Sequence, residues 1–118
     1  MDTAESAPSA PPFDIQVEGV RQTEVDLAWQ PPICTTRNGE LTDYEYELRS
    51  SLQPHSAINI KNTGGPKTRV TVSGLNPMTP YSVRLRAYTH GGHGPWSESV
   101  NFQTRQVEQV GYFKSYLF

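Results

Sequence analysis

One cysteine and a pair of histidines are the side chains best suited to chemistry. Cys34 is the single cysteine of the chain and follows Pro31-Pro32-Ile33, with no histidine close to it in sequence. A nucleophilic thiol needs a neighbouring base or a lowered pKa, so a partly buried or free thiol with no catalytic role is the favoured interpretation. A single cysteine also excludes an internal disulfide and a multi-cysteine zinc site.

His90 and His93 flank two glycines in the segment His90-Gly91-Gly92-His93-Gly94-Pro95. Two imidazoles could share a metal ion, but zinc sites use three or four ligands, and the segment holds no Cys, Asp or Glu. The glycines lack the spacing of a dinucleotide-binding loop and do not precede a helix. We therefore expect no metal, no cofactor and no catalysis here. The segment is predicted to be a flexible exposed loop, and its two histidines are candidate partner contacts.

The elements that position these residues follow from a strict alternation of apolar and polar residues, which is typical of half-buried strands. Val25, Leu27 and Trp29 alternate with polar neighbours, and Asn38-Gly39 marks a turn. Candidate strands cover residues 13–18, 24–30, 41–49, 57–61, 68–73, 79–89 and 99–103. Seven short strands with no helical period predict an all-β, antiparallel two-sheet sandwich.

Size and charge limit the function classes. The 118 residues provide one domain, and their 10 prolines and 9 glycines suit a β domain with many turns. The net charge of -2 excludes a nucleic-acid binder that acts through bulk positive charge. No stretch approaches the roughly 20 apolar residues that span a bilayer.

Five groups of residues share the spacing of one known family. They are Pro11-Pro12 with Ile15 and Val17, Trp29 with Pro31-Pro32, Asn38-Gly39 with Leu41-Thr42 and Tyr44, Leu75-Asn76-Pro77 with Thr79 and Tyr81, and Gly94-Pro95-Trp96-Ser97. On these residues the sequence resembles a fibronectin type III domain over residues 8–104. It is most similar to such domains of receptor-type tyrosine phosphatases and neuronal cell-adhesion receptors. The resemblance implies a seven-stranded, immunoglobulin-like sandwich.

The resemblance also implies a structural core. Trp29 is expected at its centre, between the sheets. Tyr44 and Tyr46 alternate inward on their strand. Tyr81 occupies the position of a tyrosine corner, with its hydroxyl bound to the backbone near Leu75.

In a fibronectin type III sandwich the strands at residues 41–49 and 79–89 are neighbours. Their outward residues are Asp43, Glu45, Glu47 and Arg49 on one strand and Ser82, Arg84, Arg86 and Tyr88 on the other. A ladder of Glu-Arg pairs is expected, each worth about 0.2–1 kcal/mol. Two interpretations stay open: a self-neutralised, solvated face, or a partner surface centred on Arg84 and Arg86, with Tyr88 at its edge.

Trp96 also has two alternatives. Strand parity places it inward with Val100 and Phe102. A bulge near Pro95 would instead turn its ring outward onto Arg84 and Arg86, where cation–π stacking contributes roughly 0.5–1 kcal/mol.

The chain divides into three parts. Residues 1–10 are rich in Pro, Ser and Ala and are predicted to form a flexible linker. Residues 11–105 are predicted to form the domain that resembles fibronectin type III. Residues 106–118 are an aromatic tail outside the domain pattern, and Tyr112 and Phe113 are candidate contacts for self-association into a homo-oligomer.

The resemblance implies a non-catalytic extracellular adhesion or spacer module of a membrane-anchored receptor or cell-adhesion protein. Its partner would be a protein, not a nucleic acid. Two alternatives remain. One is a module of a large intracellular muscle protein of the titin type, which the segment Ile33-Cys34-Thr35-Thr36-Arg37-Asn38-Gly39 disfavours, since titin-like domains often carry Asp-Gly-Gly after Pro-Pro. The other is an accessory domain of a multidomain enzyme.

Overall fold

A computed structural model describes residues 5–50 and 58–106 of the chain. Tyr112 and Phe113 lie outside these residues. The strands are β1 (Phe13–Val20), β2 (Val25–Gln30), β3 (Asp43–Ser50), β4 (Ile58–Asn62), β5 (Arg69–Val72), β6 (Pro80–Thr89), β7 (Gly92–His93) and β8 (Val100–Gln103). A single 3₁₀ turn, Cys34–Thr36, is the one helical element in the described part.

The strands form two antiparallel sheets, as the sequence predicts. The smaller sheet has the order β1-β2-β5. The larger sheet has the order β4-β3-β6, and both β7 and β8 pair with the free edge of β6. The described residues therefore confirm the all-β two-sheet sandwich, with one difference in the last strand.

That last strand is divided in two, with β7 and β8 at its ends. Between them the Gly94 N–H donates to the Ala87 carbonyl and the Ser97 N–H to the Leu85 carbonyl, so the chain still follows β6. Pro95 has no N–H to donate, which interrupts the regular ladder.

The predicted loop at His90-Gly91-Gly92-His93-Gly94-Pro95 is in part a tight hairpin. His90 and Gly91 are exposed as predicted, but Gly92 and His93 form strand β7, so the prediction is wrong for those two residues. Tyr88 pairs with His93 and Thr89 with Gly92, which leaves His90 and Gly91 as a two-residue turn. Gly92 has a φ of 121°, a conformation that favours glycine. Glycine spacing at a hairpin turn resembles that of a loop, which explains the error.

The core lies between the sheets and consists of the residues that alternate inward. Trp29 is 2% exposed, and its ring packs edge-on against Tyr44 with the ring centroids 5.3 Å apart. The buried apolar residues are Val25, Leu27, Trp29, Tyr44, Tyr46, Leu48, Val72, Leu75, Tyr81, Val83, Leu85, Ala87 and Phe102. The core predicted around Trp29 is therefore confirmed.

Residues 5–9, part of the predicted linker, lie against the sandwich. The Ser6 N–H donates to the Asn38 carbonyl and the Ser9 N–H to the Thr36 carbonyl. The boundary between linker and domain at residue 10 stays a prediction, but the described residues before it are bonded to the domain.

Tyr81 forms the predicted corner. Its hydroxyl accepts a hydrogen bond from the Asn76 N–H at 2.8 Å, and its ring stacks on Phe102 with the centroids 5.6 Å apart. The bond ties the segment before β6 to the start of that strand.

We expect Tyr81→Phe to lower the free energy of unfolding by about 1–3 kcal/mol, because it leaves the Asn76 N–H unpaired in a partly buried place. Urea denaturation measures the change. Tyr46→Phe is the matched control, since Tyr46 is also a buried core tyrosine and its hydroxyl bonds to no described residue. Equal losses in the two variants would contradict the role of the corner.

Arg21 holds the turn between β1 and β2. Its guanidinium donates to both carboxylate oxygens of Asp26, at 2.9 and 3.0 Å, and to Glu24 at 3.0 Å. The hydrogen bonds from Arg21, and then that from Thr71, lower the pKa of Asp26 from 3.8 to about 2.

This pairing predicts a pH dependence. The folded-state pKa of Asp26 is depressed, so the stabilisation is complete above 3.8 and is lost as pH falls through about 2. The difference in unfolding free energy between the parent chain and Arg21→Gln should therefore shrink over that window, as urea titrations at a series of pH values would show. In a background that neutralises both partners of Arg21, Glu24→Gln with Asp26→Asn, the effect of Arg21→Gln should not change with pH.

Candidate partner-binding face

The register of β3 on β6 builds the predicted ladder of opposite charges. Glu45 pairs with Arg86 and Glu47 with Arg84. The Arg84 Nε lies 2.7 Å from Glu47 Oε1 and its Nη2 lies 3.2 Å from Oε2, a two-point contact. The Arg86 Nε lies 2.6 Å from Glu45 Oε1. The predicted Glu-Arg ladder is thus present.

These charged side chains are less exposed than an outward sheet face suggests. The side chains of Glu47 and Glu45 are 11% and 12% exposed, and that of Arg86 is 17% exposed. Arg84 keeps 34% of its side chain in solvent. Pairs in such partly desolvated places are screened less by salt than exposed pairs.

Trp96 covers the two arginines. Its ring centroid lies 4.6 Å from the Arg84 Cζ and 4.2 Å from the Arg86 Cζ, so one indole contacts both guanidinium groups. The outward alternative is confirmed and the inward one is wrong. We call Arg84, Arg86, Trp96, Glu45 and Glu47 the stacked face.

The orientation of Trp96 has a local cause in Ser97. The Ser97 N–H donates to the Leu85 carbonyl at 2.7 Å, and the Ser97 hydroxyl accepts from the Leu85 N–H at 2.9 Å. Ser97 therefore uses its side chain for a bond that a regular strand would make through its backbone. This breaks the alternation of period two, so parity counted from Phe102 misplaces Trp96.

Tyr88 and His93 extend the stacked face at one end. The Tyr88 hydroxyl donates to Glu45 Oε1 at 3.1 Å, and the Arg86 Nη1 lies 3.3 Å from the His93 Nδ1. The Tyr88 and His93 rings meet edge-on at 5.7 Å. Desolvation, and then the bond to Glu45, raises the pKa of Tyr88.

His90 is the predicted contact residue that the structure separates from the others. It lies at the hairpin turn with 76% of its side chain exposed, and its Nδ1 is 3.4 Å from Glu5 Oε1. The structure thus brings together Arg84, Arg86, Tyr88, His93 and Trp96, and it places His90 beside the N-terminal segment.

Sequence reasoning missed one residue that lies next to the stacked face. Ile60 on β4 is paired with Glu47 in register, which puts both on the outward side, and Ile60 is 46% exposed. The strand at residues 57–61 has the weakest alternation, so the register that places Ile60 next to the ladder could not be read from the sequence.

Other chemistry has little support in the described ranges. Cys34 is exposed with a free thiol. Residues 5–50 and 58–106 contain no cluster of three or more His, Cys, Asp or Glu suited to a metal ion. Over the same residues, no helix has the length and hydropathy to cross a membrane.

The fold and face together define an immunoglobulin-like β sandwich with a paired, charged outer sheet. The sequence model of the fibronectin type III domain matches residues 9–103. The chain belongs to the fibronectin type III family. The resemblance inferred from its motifs is therefore confirmed.

The relatives include a receptor-type tyrosine phosphatase and a contactin. The chain is 38% identical over 110 residues to the receptor-type tyrosine-protein phosphatase F of Rattus norvegicus, covering 93% of this chain and 6% of the relative. It is 35% identical over 102 residues to contactin-2 of Homo sapiens, covering 86% and 10%. The chain therefore spans a small part of the length of these relatives.

Among solved structures, the third fibronectin III domain of human KIAA0343 protein has a TM-score of 0.79 at 22% identity. The similarity covers 96% of this chain and 95% of that domain. Identity at this level supports the fold alone.

The Arg86–Glu45 pair should couple more strongly than an exposed pair. A double-mutant cycle with Arg86→Gln and Glu45→Gln should give a coupling energy above about 1 kcal/mol, because both side chains are mostly desolvated. The exposed pair of Arg69 and Glu18 on the other sheet is the control, with about 0.2–1 kcal/mol expected. Urea denaturation of the variants measures both, and equal coupling in the two cycles would contradict this account of the stacked face.

Proposed function

We propose that the chain is a non-catalytic, extracellular adhesion module of a membrane-anchored receptor or cell-adhesion protein, and that it binds a protein partner through the stacked face. The names and identities of the relatives support the receptor class, and the family match supports a binding or spacing role over catalysis. The stacked face adds the residues through which such a module would act.

One observation carries the choice of this face: Trp96 lies against both Arg84 and Arg86. Arginine and tryptophan are enriched among the residues that dominate binding energy at protein interfaces. Stacking also holds the two guanidinium groups in place before a partner arrives, which lowers the entropy cost of binding.

The same contacts restrict the kind of partner. Each arginine already bonds a carboxylate, so an acidic glycan would have to compete with Glu45 and Glu47 for the same donors. A protein surface can instead pack on the indole and on Ile60 while leaving the ion pairs intact. We therefore favour a protein partner with an apolar or aromatic contact over a polyanion.

Binding of a tetravalent, fluorescently labelled form of the chain to intact neuronal cells, with and without surface proteolysis, tests the proposal. We expect protease-sensitive binding that Trp96→Ala weakens by at least about tenfold, the scale of a hot-spot residue. Arg69→Ala, on the opposite sheet with 71% of its side chain exposed, should bind like the parent chain.

Two further results bear on the proposal. Protease-insensitive binding, no binding, or equal loss in Trp96→Ala and Arg69→Ala would overturn it. A chain ending at Arg105 should bind as the full chain does. Loss of binding in that shorter chain would move the interaction from the stacked face to residues 106–118, where self-association stays a prediction.

A further inference from the structure

Residues 5–9, which we call the arm, lie in a groove at the end of the sandwich opposite the β1–β2 turn. One wall is the turn before β3, with Asn38 and Gly39, and the other is the hairpin of β6 and β7. The Ser6 N–H donates to the Asn38 carbonyl at 3.0 Å, and the Thr89 hydroxyl donates to the Ser6 carbonyl at 2.6 Å. Both backbone groups of Ser6 are therefore bonded, one to each wall.

The Glu5 carboxylate joins the two walls. Its Oε1 accepts from the His90 N–H at 3.1 Å and its Oε2 accepts from the Glu40 N–H at 3.2 Å. These two backbone hydrogen bonds lower the pKa of Glu5. One carboxylate thus satisfies a backbone donor on each side of the groove.

Two glycines of the hairpin, Gly91 and Gly94, allow the arm to approach. Neither has a φ in the left-handed region, so neither needs to be glycine for its own conformation. A Cβ on Gly91 would lie 2.5 Å from the Ser6 Cα, and a Cβ on Gly94 would lie 2.6 Å from the Pro8 oxygen. Both distances are too short for any side chain, and the atoms met are backbone atoms that cannot turn away.

We propose that this groove is a docking site for an extended peptide segment, that its occupant is the arm of the same chain, and that docking fixes the direction in which the chain enters the sandwich. The proposal deepens the spacing role named under Proposed function, and it does not depend on the stacked face or on any partner. The surroundings of Gly91 and Gly94 support it, because neither glycine has a left-handed φ and the nearest atoms that a Cβ would meet at both positions belong to the arm.

Amide hydrogen exchange in the full chain measures docking directly. The amides of Ser6 and Ser9 should be protected, since both donate to the turn before β3. Gly91→Ala should remove the protection of Ser6 while the amides of β3 and β6 stay protected. Free exchange of Ser6 and Ser9 in the parent chain would overturn the proposal.

The matched control is Gly19→Ala. Gly19 also has no left-handed φ, and a Cβ there meets the ends of the Asp26 and Arg21 side chains, far from the arm. This variant should leave the exchange of Ser6 and Ser9 unchanged. A loss of protection as large as in Gly91→Ala would show that the effect is not specific to the groove.

A second measurement separates the arm from the hairpin itself. A chain that starts at residue 9 retains all of the residues that match the family. In the full chain Gly91→Ala should shift the urea midpoint to lower concentration, and in the shortened chain the shift should disappear. An equal shift in both chains would mean that the hairpin needs this glycine without the arm, and the proposal would be wrong. Neither measurement involves a partner. Absence of binding to cells would therefore contradict the proposed function but not the docking of the arm.

Discussion

The register of β3 on β6 is the constraint on which the rest of the molecule depends. Eight residue pairs, from Asp43 with Tyr88 to Ser50 with Tyr81, fix it. Because successive side chains of a strand point to opposite faces, a slip of β3 by one residue would turn Tyr44 to solvent and move Glu45 into the core, away from Arg86. The core and the stacked face therefore both depend on this one pairing. A substitution that preserves the register preserves both.

The ladder shows how a charged outer face becomes partly desolvated without a second layer of structure. Glu45 is held between Arg86 and the hydroxyl of Tyr88, and the indole of Trp96 lies against Arg86 from the other side. Each of these groups excludes water from its neighbour and replaces it with a hydrogen bond or a ring contact. Under the proposed function, such an arrangement would favour partners that pack on the indole, since both arginines already bond carboxylates.

Sequence reasoning succeeded where a residue's environment follows from alternation alone. Trp29, Tyr44 and Tyr46 are buried as their spacing predicts, and Glu45 faces Arg86 because two regular strands pair. It failed to choose an orientation for Trp96, because Ser97 bonds Leu85 through its side chain and shifts the parity of the strand. Ile60 was missed because its position depends on a register between two strands, which no local pattern encodes.

The hairpin at His90 and Gly91 shows why the glycine content of a segment does not by itself predict that the segment is flexible. Gly92 is required by its own backbone, with a φ of 121°, whereas Gly91 and Gly94 have ordinary backbones and stand close to the arm. The sequence shows three glycines in four residues and suggests flexibility. The structure separates one glycine that shapes a turn from two that admit another segment of chain. Small residues at such a place indicate a close contact, and a contact of this kind restricts the motion of the chain that enters the domain.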